Sequence, residues 1–361
     1  MKKFEFPEKP KYKFTNEQLT QRNEILNKQI EHIKYEDLKD IAPLIDSFSK
    51  SSFQARKLGE GAKLYKKELE KETTIIWSLA GSIFSAGLRE LVIESIRKNL
   101  VDCLVCTGAL FEQDMLEALG HKHYAQTSLN EDSKLQSLLI DRIYDHLLDE
   151  LDLQHVDLTY KKIAKQITPG NYSSREFMHQ CGKWLSETKD ANDSVMLAAY
   201  EMNIPIFIPA LNDCSIGIGL AMNQVESKDG ICIDSIKDLR EIAMMKSVCG
   251  DSGIIIVGGG VPKNYSQDSV IMAEMLGYNV KKHKFGIQIS TADSRDGGLS
   301  GSTLKEAISW GKNDRKMREV MIWGEASVYF PLLLSYIYNV KRDDKKELNK
   351  HINTNELQKR K

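Results

Sequence analysis

Gly253-Ile254-Ile255-Ile256-Val257-Gly258-Gly259-Gly260 is a short apolar, largely β-branched run that stops on three glycines. β-Branched side chains favour extended backbone, and glycine lets a chain turn sharply or approach a ligand closely, so the run reads as a buried strand opening into a loop. Four other runs share this grammar: Thr74-Ile75-Ile76-Trp77-Ser78-Leu79 before Gly81, Leu104-Val105-Cys106 before Thr107-Gly108, Ile204-Pro205-Ile206-Phe207-Ile208 before Asn212-Asp213, and Val320-Met321-Ile322-Trp323 before Gly324-Glu325. Amphipathic helical patterns separate them. The alternation predicts an α/β fold with a single Rossmann-like, open, mainly parallel sheet flanked by helices. Ligands of such sheets bind beyond the carboxyl ends of the strands, which singles out Ser85, Thr107-Gly108-Ala109, Asp213, the triple glycine and Thr291 as candidate nucleotide contacts.

Gly258-Gly259-Gly260 is not G-x-G-x-x-G, and no acidic residue follows at the expected distance. Taken alone, it serves a pyrophosphate contact and a tight strand-to-helix turn equally well.

Working outward, residues 73–340 form the expected catalytic domain, residues 1–72 a helical N-terminal extension and residues 341–361 a polar, solvated tail. Thr15 and Gln18 make a capping box for a helix running to about Ile33, with Leu19, Ile25, Leu26, Ile30 and Ile33 near one face. Another helix is expected around Leu158 to Ile167, and Val328 to Val340 reads as a buried helix too short to span a bilayer. The 50 Lys and Arg balance 51 Asp and Glu, which gives no reason to expect a nucleic-acid or membrane partner. No apolar segment follows Met1-Lys2-Lys3 to act as a signal peptide, and the expectation is a cytoplasmic protein with its six cysteines reduced. Cys103 and Cys106 form a C-x-x-C, but on a strand they point to opposite faces and read as core thiols. His121 and His123 read as a solvated turn, and no metal site is expected.

The second constellation is Leu299-Ser300-Gly301-Ser302-Thr303-Leu304-Lys305-Glu306-Ala307-Ile308-Ser309-Trp310-Gly311-Lys312. Thr303 with Glu306 fits a capping box. If Glu306 is free instead, it shares a helix face with Trp310, a carboxylate beside an aromatic surface suited to an organic cation. Lys312 follows the expected helix end at Gly311, where spacing alone also fits a solvated lysine favoured by the helix dipole.

Glu306 to Lys312, followed by Glu325-Ala326-Ser327 and Phe330-Pro331-Leu332-Leu333, resembles the C-terminal signature of deoxyhypusine synthase. Ser85-Ala86-Gly87-Leu88-Arg89-Glu90, Val101 to Val105, Pro205 to Leu211 and Ile255 to Val261 match in family order, so the resemblance runs from about Thr73 to Tyr338. It implies an NAD-dependent transferase that oxidises spermidine, holds the butylamine fragment as an imine on a lysine and passes it to a lysine of a hypusine-type translation factor. Lys312 is then the imine-forming residue. Glu112, Glu306, Trp310 and Asn264 would line the polyamine pocket. Ser85, Thr107, Gly108, Ala109, Asp213, Gly259, Thr291, Asp296, Ser300, Glu325 and Ala326 would contact NAD. The family also implies a homotetramer with its sites at a dimer interface.

Four positions depart from the family pattern. Ile218 and Leu299 stand where it has aspartates, Asn264 where it has a histidine, and Gln113 where it has the second acid of a Glu-Glu pair. The Gly297 to Gly301 run is shared with bacterial deoxyhypusine-synthase-like relatives. Loss of carboxylates opposite a buried ammonium points to an altered amine, which keeps open a homospermidine-synthase type of transfer, with a different polyamine donor or a small diamine acceptor. A non-catalytic NAD-binding scaffold is the remaining alternative, against which the retained Lys312, Glu306 and Trp310 argue.

Overall fold

Six strands make one parallel sheet: β1 (Thr74–Leu79), β2 (Cys103–Cys106), β3 (Ile206–Phe207), β4 (Ser252–Val257), β5 (His283–Ser290) and β6 (Asn313–Trp323). The computed structural model describes residues 13–26, 30–127, 131–227, 230–343 and 346–352. Strand order is β6-β5-β4-β1-β2-β3, so the chain leaves β1 in one direction and returns to its other side. This makes the β1/β4 boundary the switch point, where loops diverge and leave a crevice.

All six residues of β1 and of β4 are buried, as a parallel strand covered on both faces requires. Cys103 and Cys106 lie in different core clusters, one on each face of the sheet. β3 is shorter than Ile204–Ile208 because Pro205 has no N–H for a ladder, and it forms the sheet edge. β5 was not anticipated from its residues, since Gly286 and Gln288 interrupt its apolar run. β6 begins seven residues before Val320, with exposed Asp314, Arg315 and Lys316 masking its start.

The helices that carry the site are α1 (Gly108–Ala118), α2 (Ser215–Glu226), α3 (Gly260–Met275), α4 (Glu306–Ser309) and α5 (Ala326–Ile337). α5 corresponds to the late apolar run. It buries Phe330, Leu333, Leu334 and Ile337 while Val328 stays exposed, so it is one-sided rather than wholly buried.

The helix Phe53–Leu69 packs on the sheet: a Cβ on Gly61 would lie 3.5 Å from Ile287, Val320 and Ile322. Tyr65 fixes it by donating to the Leu100 carbonyl at 2.7 Å and accepting from Trp77 Nε1 at 2.9 Å. The Thr15 capping box forms, but its helix ends at Ile25, and Leu19, Ile25, Leu26, Ile30 and Ile33 are exposed. Isolated short helices gain little without a packed face.

Three further expectations are corrected. The helix expected at Leu158 starts at Glu150, because Asp149 caps it by accepting from the Leu151 N–H. The tail is not uniformly solvated: Arg342 is buried against Asp102, and Leu348–Ile352 is a helix with Leu348, Asn349 and Ile352 buried, while residues 353–361 lie outside the described residues. His121 and His123 are not a loose turn. His121 contacts Asp152 and His155, each at 2.9 Å, and His123 contacts His146 at 3.0 Å, with burial and His146 pushing His123 down to about 4. No described helix is long and apolar enough to cross a membrane.

Candidate active site

Parallel strands put their carboxyl ends on one edge, and the candidate nucleotide residues gather there. Ser85 follows β1, and its N–H donates to Gln113 Oε1 on α1 at 3.0 Å. Thr107 ends β2 as the N-cap of α1, yet its side chain makes no capping bond. Ser85 Oγ and Thr107 Oγ1 are buried without a hydrogen-bond partner among the described residues. Buried hydroxyls are normally paired, so two orphans on one edge fit a polar ligand lying across it. Gly108 is needed for close packing, since a Cβ there would lie 2.3 Å from Cys214 Sγ.

After β3, Asp213 is exposed and Glu112 Oε2 accepts the Ser215 N–H at 3.0 Å, capping the start of α2. Burial raises the Glu112 carboxyl above its ordinary range, while its bonds to Ser215 hold it down and Asp157 and Asp213 push it further up.

Beyond β4 the triple glycine meets the Leu299–Ser302 loop. Gly259 is extended, and a Cβ on it would lie 2.5 Å from Ser300 Cα. The Gly260 N–H donates to Ser300 Oγ at 3.0 Å, and Gln288 Nε2 donates to the Gly258 and Ser300 carbonyls, each at 2.8 Å. In this chain, then, Gly259 and Ser300 touch each other, and close loop packing accounts for the glycine.

Thr291 and Asp296 are exposed, and Asp296 accepts the Gly298 N–H at 2.6 Å. Glu325 caps α5 through the Ser327 N–H at 2.9 Å; burial raises its carboxyl, but the Ser327 bonds together with the Val328 and Ala326 N–H groups outweigh that and leave it below its ordinary value. Ala326 is the first residue of α5.

Lys312 lies elsewhere, on a cavity of about 490 Å³ between α3 and α4 that Asn264, Leu299, Glu306 and Trp310 also line. A larger depression of about 700 Å³ around Arg97 and Tyr338 contains none of the candidate residues. α4 ends in a left-handed Gly311, φ 78°, with the Gly311 N–H on the Ile308 carbonyl at 3.0 Å and the Lys312 N–H on the Ala307 carbonyl at 3.2 Å. This paired closure reverses the chain and sends Lys312 back over the helix. The solvated-lysine alternative is thereby corrected: the side chain is 12% exposed, its Nζ 2.8 Å from Asp268 Oδ1, 2.7 Å from Asn264 Oδ1 and 5.4 Å from the Trp310 ring centre.

Glu306 forms the capping box, with its N–H on Thr303 Oγ1 at 3.0 Å and Oε2 accepting the Thr303 N–H at a long 3.4 Å, and it still faces the cavity. Glu112 does not line this cavity.

Sequence reasoning missed two residues here. Asp268 follows Asn264 by one turn of α3, a spacing visible once the helix is drawn from Gly260. Lys263 is fully buried, its ammonium on the Leu299 carbonyl at 3.1 Å, Ser302 Oγ at 3.0 Å and the Ser302 carbonyl. Burial lowers it to about 8, with Glu306 opposing the shift and Lys312 adding to it. Among the described residues no group of three or more His, Cys, Asp or Glu side chains is arranged to hold a metal.

The family model for deoxyhypusine synthase matches residues 43–337. A deoxyhypusine synthase-like protein of Chlorobaculum parvum is 43% identical over 327 residues, covering 90% of this chain and 93% of its own. One from Coxiella burnetii is 43% identical over 322 residues, covering 88% and 91%. The crystal structure of a candidate deoxyhypusine synthase from Entamoeba histolytica superposes with a TM-score of 0.59 at 20% identity, over 88% of this chain and all of that one, which shows a shared fold. With the family model spanning most of its length and relatives matching it nearly end to end, the chain belongs to the deoxyhypusine synthase family.

Proposed function

We propose that this transferase is an NAD-dependent aminobutyl transferase that uses spermidine as donor and carries the butylamine fragment as an imine on Lys312, with a lysine of a hypusine-type translation factor as acceptor. The observation that carries the reading is the setting of Lys312: a nearly buried lysine on a cavity with the carboxylate of Glu306 and the indole of Trp310, groups that suit an aliphatic cation.

The orphan hydroxyls of Ser85 and Thr107 fit the cofactor, and Gly108, Ala109, Asp213, Gly259, Thr291, Asp296, Ser300, Glu325 and Ala326 would complete its site. NAD supplies hydride acceptance and return. The chain's own residues do the rest. The open N-terminus of α1 attracts a phosphate. The Leu299–Ser302 loop, held by Lys263, touches the triple glycine on one side and lines the Lys312 cavity on the other. Trp310 and Glu306 hold the distal ammonium, leaving the reacting carbon near Nζ. Glu112 lies against the start of α2, away from the Lys312 cavity; a site completed across a dimer interface of a homotetramer would bring it to the amine.

A second reading, transfer to a free diamine, is favoured by one observation: Leu299 lines the cavity where the family pattern carries an aspartate. An apolar wall there weakens binding of a second ammonium at that point and suits a different amine. The test incubates the protein with NAD and spermidine, reduces with borohydride, and maps adducts by peptide mass spectrometry. An adduct on Lys312, absent without NAD, is expected; its appearance on another residue, or none at all, sinks the reading. Adding putrescine or a purified hypusine-type factor then tells the two acceptors apart by which one clears the adduct.

A further inference from the structure

Asn264 and Asp268 stand four residues apart on α3, so one helical turn brings both over the Lys312 cavity. Their contacts with the lysine close into a ring: Nζ to Asp268 Oδ1 at 2.8 Å, Nζ donating to Asn264 Oδ1 at 2.7 Å, and the Asn264 amide donating to Asp268 Oδ2 at 2.6 Å. Within that ring only Asp268 can take a proton, because a side-chain amide offers hydrogen bonds but no basic site near neutral pH. Among the described residues no other carboxylate lies within ion-pair distance of Lys312 Nζ. Glu306 faces the cavity but bonds to Thr303, Lys263 is bound to the Leu299 and Ser302 oxygens, and the Lys282 ammonium lies beside Gly311.

We infer that Asp268 is the proton-transfer residue for Lys312, taking protons from its nitrogen and delivering them to the departing amine. The inference rests on the reading of Lys312 as the imine-forming residue. A lysine ammonium that becomes a protonated imine must lose two of its three protons. Take a donor already oxidised to R–CH=NH⁺–R′, its two electrons accepted by the nicotinamide cofactor. Asp268 removes one proton from Lys312, and the freed Nζ bonds to the carbon. Asp268 passes that proton to the R′ nitrogen and takes a second from Nζ. The carbon–nitrogen bond to R′ then breaks, leaving Lys312–NH⁺=CH–R, and Asp268 gives its second proton to the released amine, which leaves as H₃N⁺–R′. The two protons lost by Nζ are the two gained by the leaving nitrogen, so the exchange balances in charge while each transfer needs a carrier within reach.

Butanal makes the same demand without any oxidant. Lys312–NH₃⁺ and O=CH–R give Lys312–NH⁺=CH–R and water, with two ammonium protons passing to the oxygen. Labelling the full chain with butanal and cyanoborohydride in the absence of NAD, and following Lys312 by peptide mass spectrometry against exposed Lys305, isolates this step. Asp268→Asn, which keeps shape and an acceptor for Asn264, is expected to slow labelling of Lys312 about 100-fold, the lower end of general acid–base effects, with Lys305 unchanged. Asp268→Glu keeps most of the rate, and the double variant Asp268→Asn with Asn264→His, which sets an imidazole within reach of the same nitrogen, recovers about 10-fold. Native-rate labelling in Asp268→Asn, or a loss that neither glutamate nor the nearby histidine restores, overturns the assignment. Absence of a spermidine adduct on native Lys312 sinks the aminobutyl reading instead and leaves the butanal comparison to be scored by itself.

Discussion

The strand edge and the Lys312 cavity are both polar, yet they close their hydrogen bonds in opposite ways. On the edge, Ser85 Oγ and Thr107 Oγ1 are buried with no partner among the described residues. In the cavity, Lys312, Asp268 and Asn264 satisfy one another. A buried polar group left unpaired costs about 1–3 kcal/mol, so the edge stands to gain stability when a polar ligand arrives. The cavity gains nothing of that kind, and an entering amine must exchange with contacts already made. On the proposed reading, one region binds and the other reacts.

The largest effect expected from breaking this comparison is at Lys312. Lys312→Ala removes the proposed nucleophile, so the borohydride-trapped adduct is expected to fall below detection. NAD affinity, measured by calorimetry, stays within about twofold, because separated sites combine additively to within about 0.5 kcal/mol. A parallel collapse of NAD binding would show that the two regions are one site within a single chain.

Lys263 straps the loop that lies between them, and its buried ammonium makes the strap sensitive to pH. Its folded value of about 8 lies below the ordinary 10.5, and burial is the largest cause. Between those values the unfolded chain holds a proton that the folded chain has released, so stability rises with pH across that window. Below about 8 both states are protonated and the cost of burying the charge is present in full. The expected gain between pH 8 and 10.5 is on the order of 2–3 kcal/mol. Denaturant titrations of the native chain and Lys263→Met should diverge in that window, the variant lacking the rise; identical pH slopes would refute the assignment.

The binding region was far more legible in the sequence than the reacting one, for a physical reason. Strand ends announce themselves locally: a β-branched run and a glycine or threonine stop are adjacent in the chain, so the sequence alone places Ser85, Thr107 and Gly259 on one edge. β5 escaped because Gly286 and Gln288 break its apolar run, although its neighbour Thr291 was singled out. The lysine cavity is assembled from α3 and α4, with Asp268 and Lys312 standing 44 positions apart. Spacing around Lys312 alone fits a helix-end surface charge, and the family resemblance marked Asn264 but not Asp268, one turn on. What could not be read was the Schellman-type reversal at Gly311 that turns the lysine inward, because it depends on tertiary placement of a four-residue helix.

Gly259 joins the two regions by contact rather than by chemistry. Its backbone is extended, so alanine is allowed there conformationally, but the new Cβ would meet Ser300 Cα at 2.5 Å and Ser300 Cβ at 2.8 Å. Relief requires the Leu299–Ser302 loop to shift, at about 1–3 kcal/mol. Gly259→Ala should lower the unfolding midpoint by several degrees, and should weaken NAD binding and Lys312 trapping together. Loss of NAD binding with native stability and trapping would instead mark Gly259 as a cofactor contact alone.

The smallest effect gives the sharpest test of the contrast, because its two parts carry opposite signs. Thr107→Val replaces an unpartnered hydroxyl with a methyl of similar shape. The side chain makes no capping bond to α1, so nothing in the ligand-free chain is lost. Stability without NAD is expected to stay level or rise by up to about 1 kcal/mol, as removal of a buried unsatisfied group predicts. NAD affinity should fall by about fivefold to tenfold, the loss of one hydrogen bond worth roughly 1 kcal/mol. Thermal unfolding with and without saturating NAD reads both at once, since ligand stabilisation follows the dissociation constant. If the variant loses stability and keeps its NAD affinity, the Thr107 hydroxyl serves the fold, and the edge is closed in the same way as the cavity.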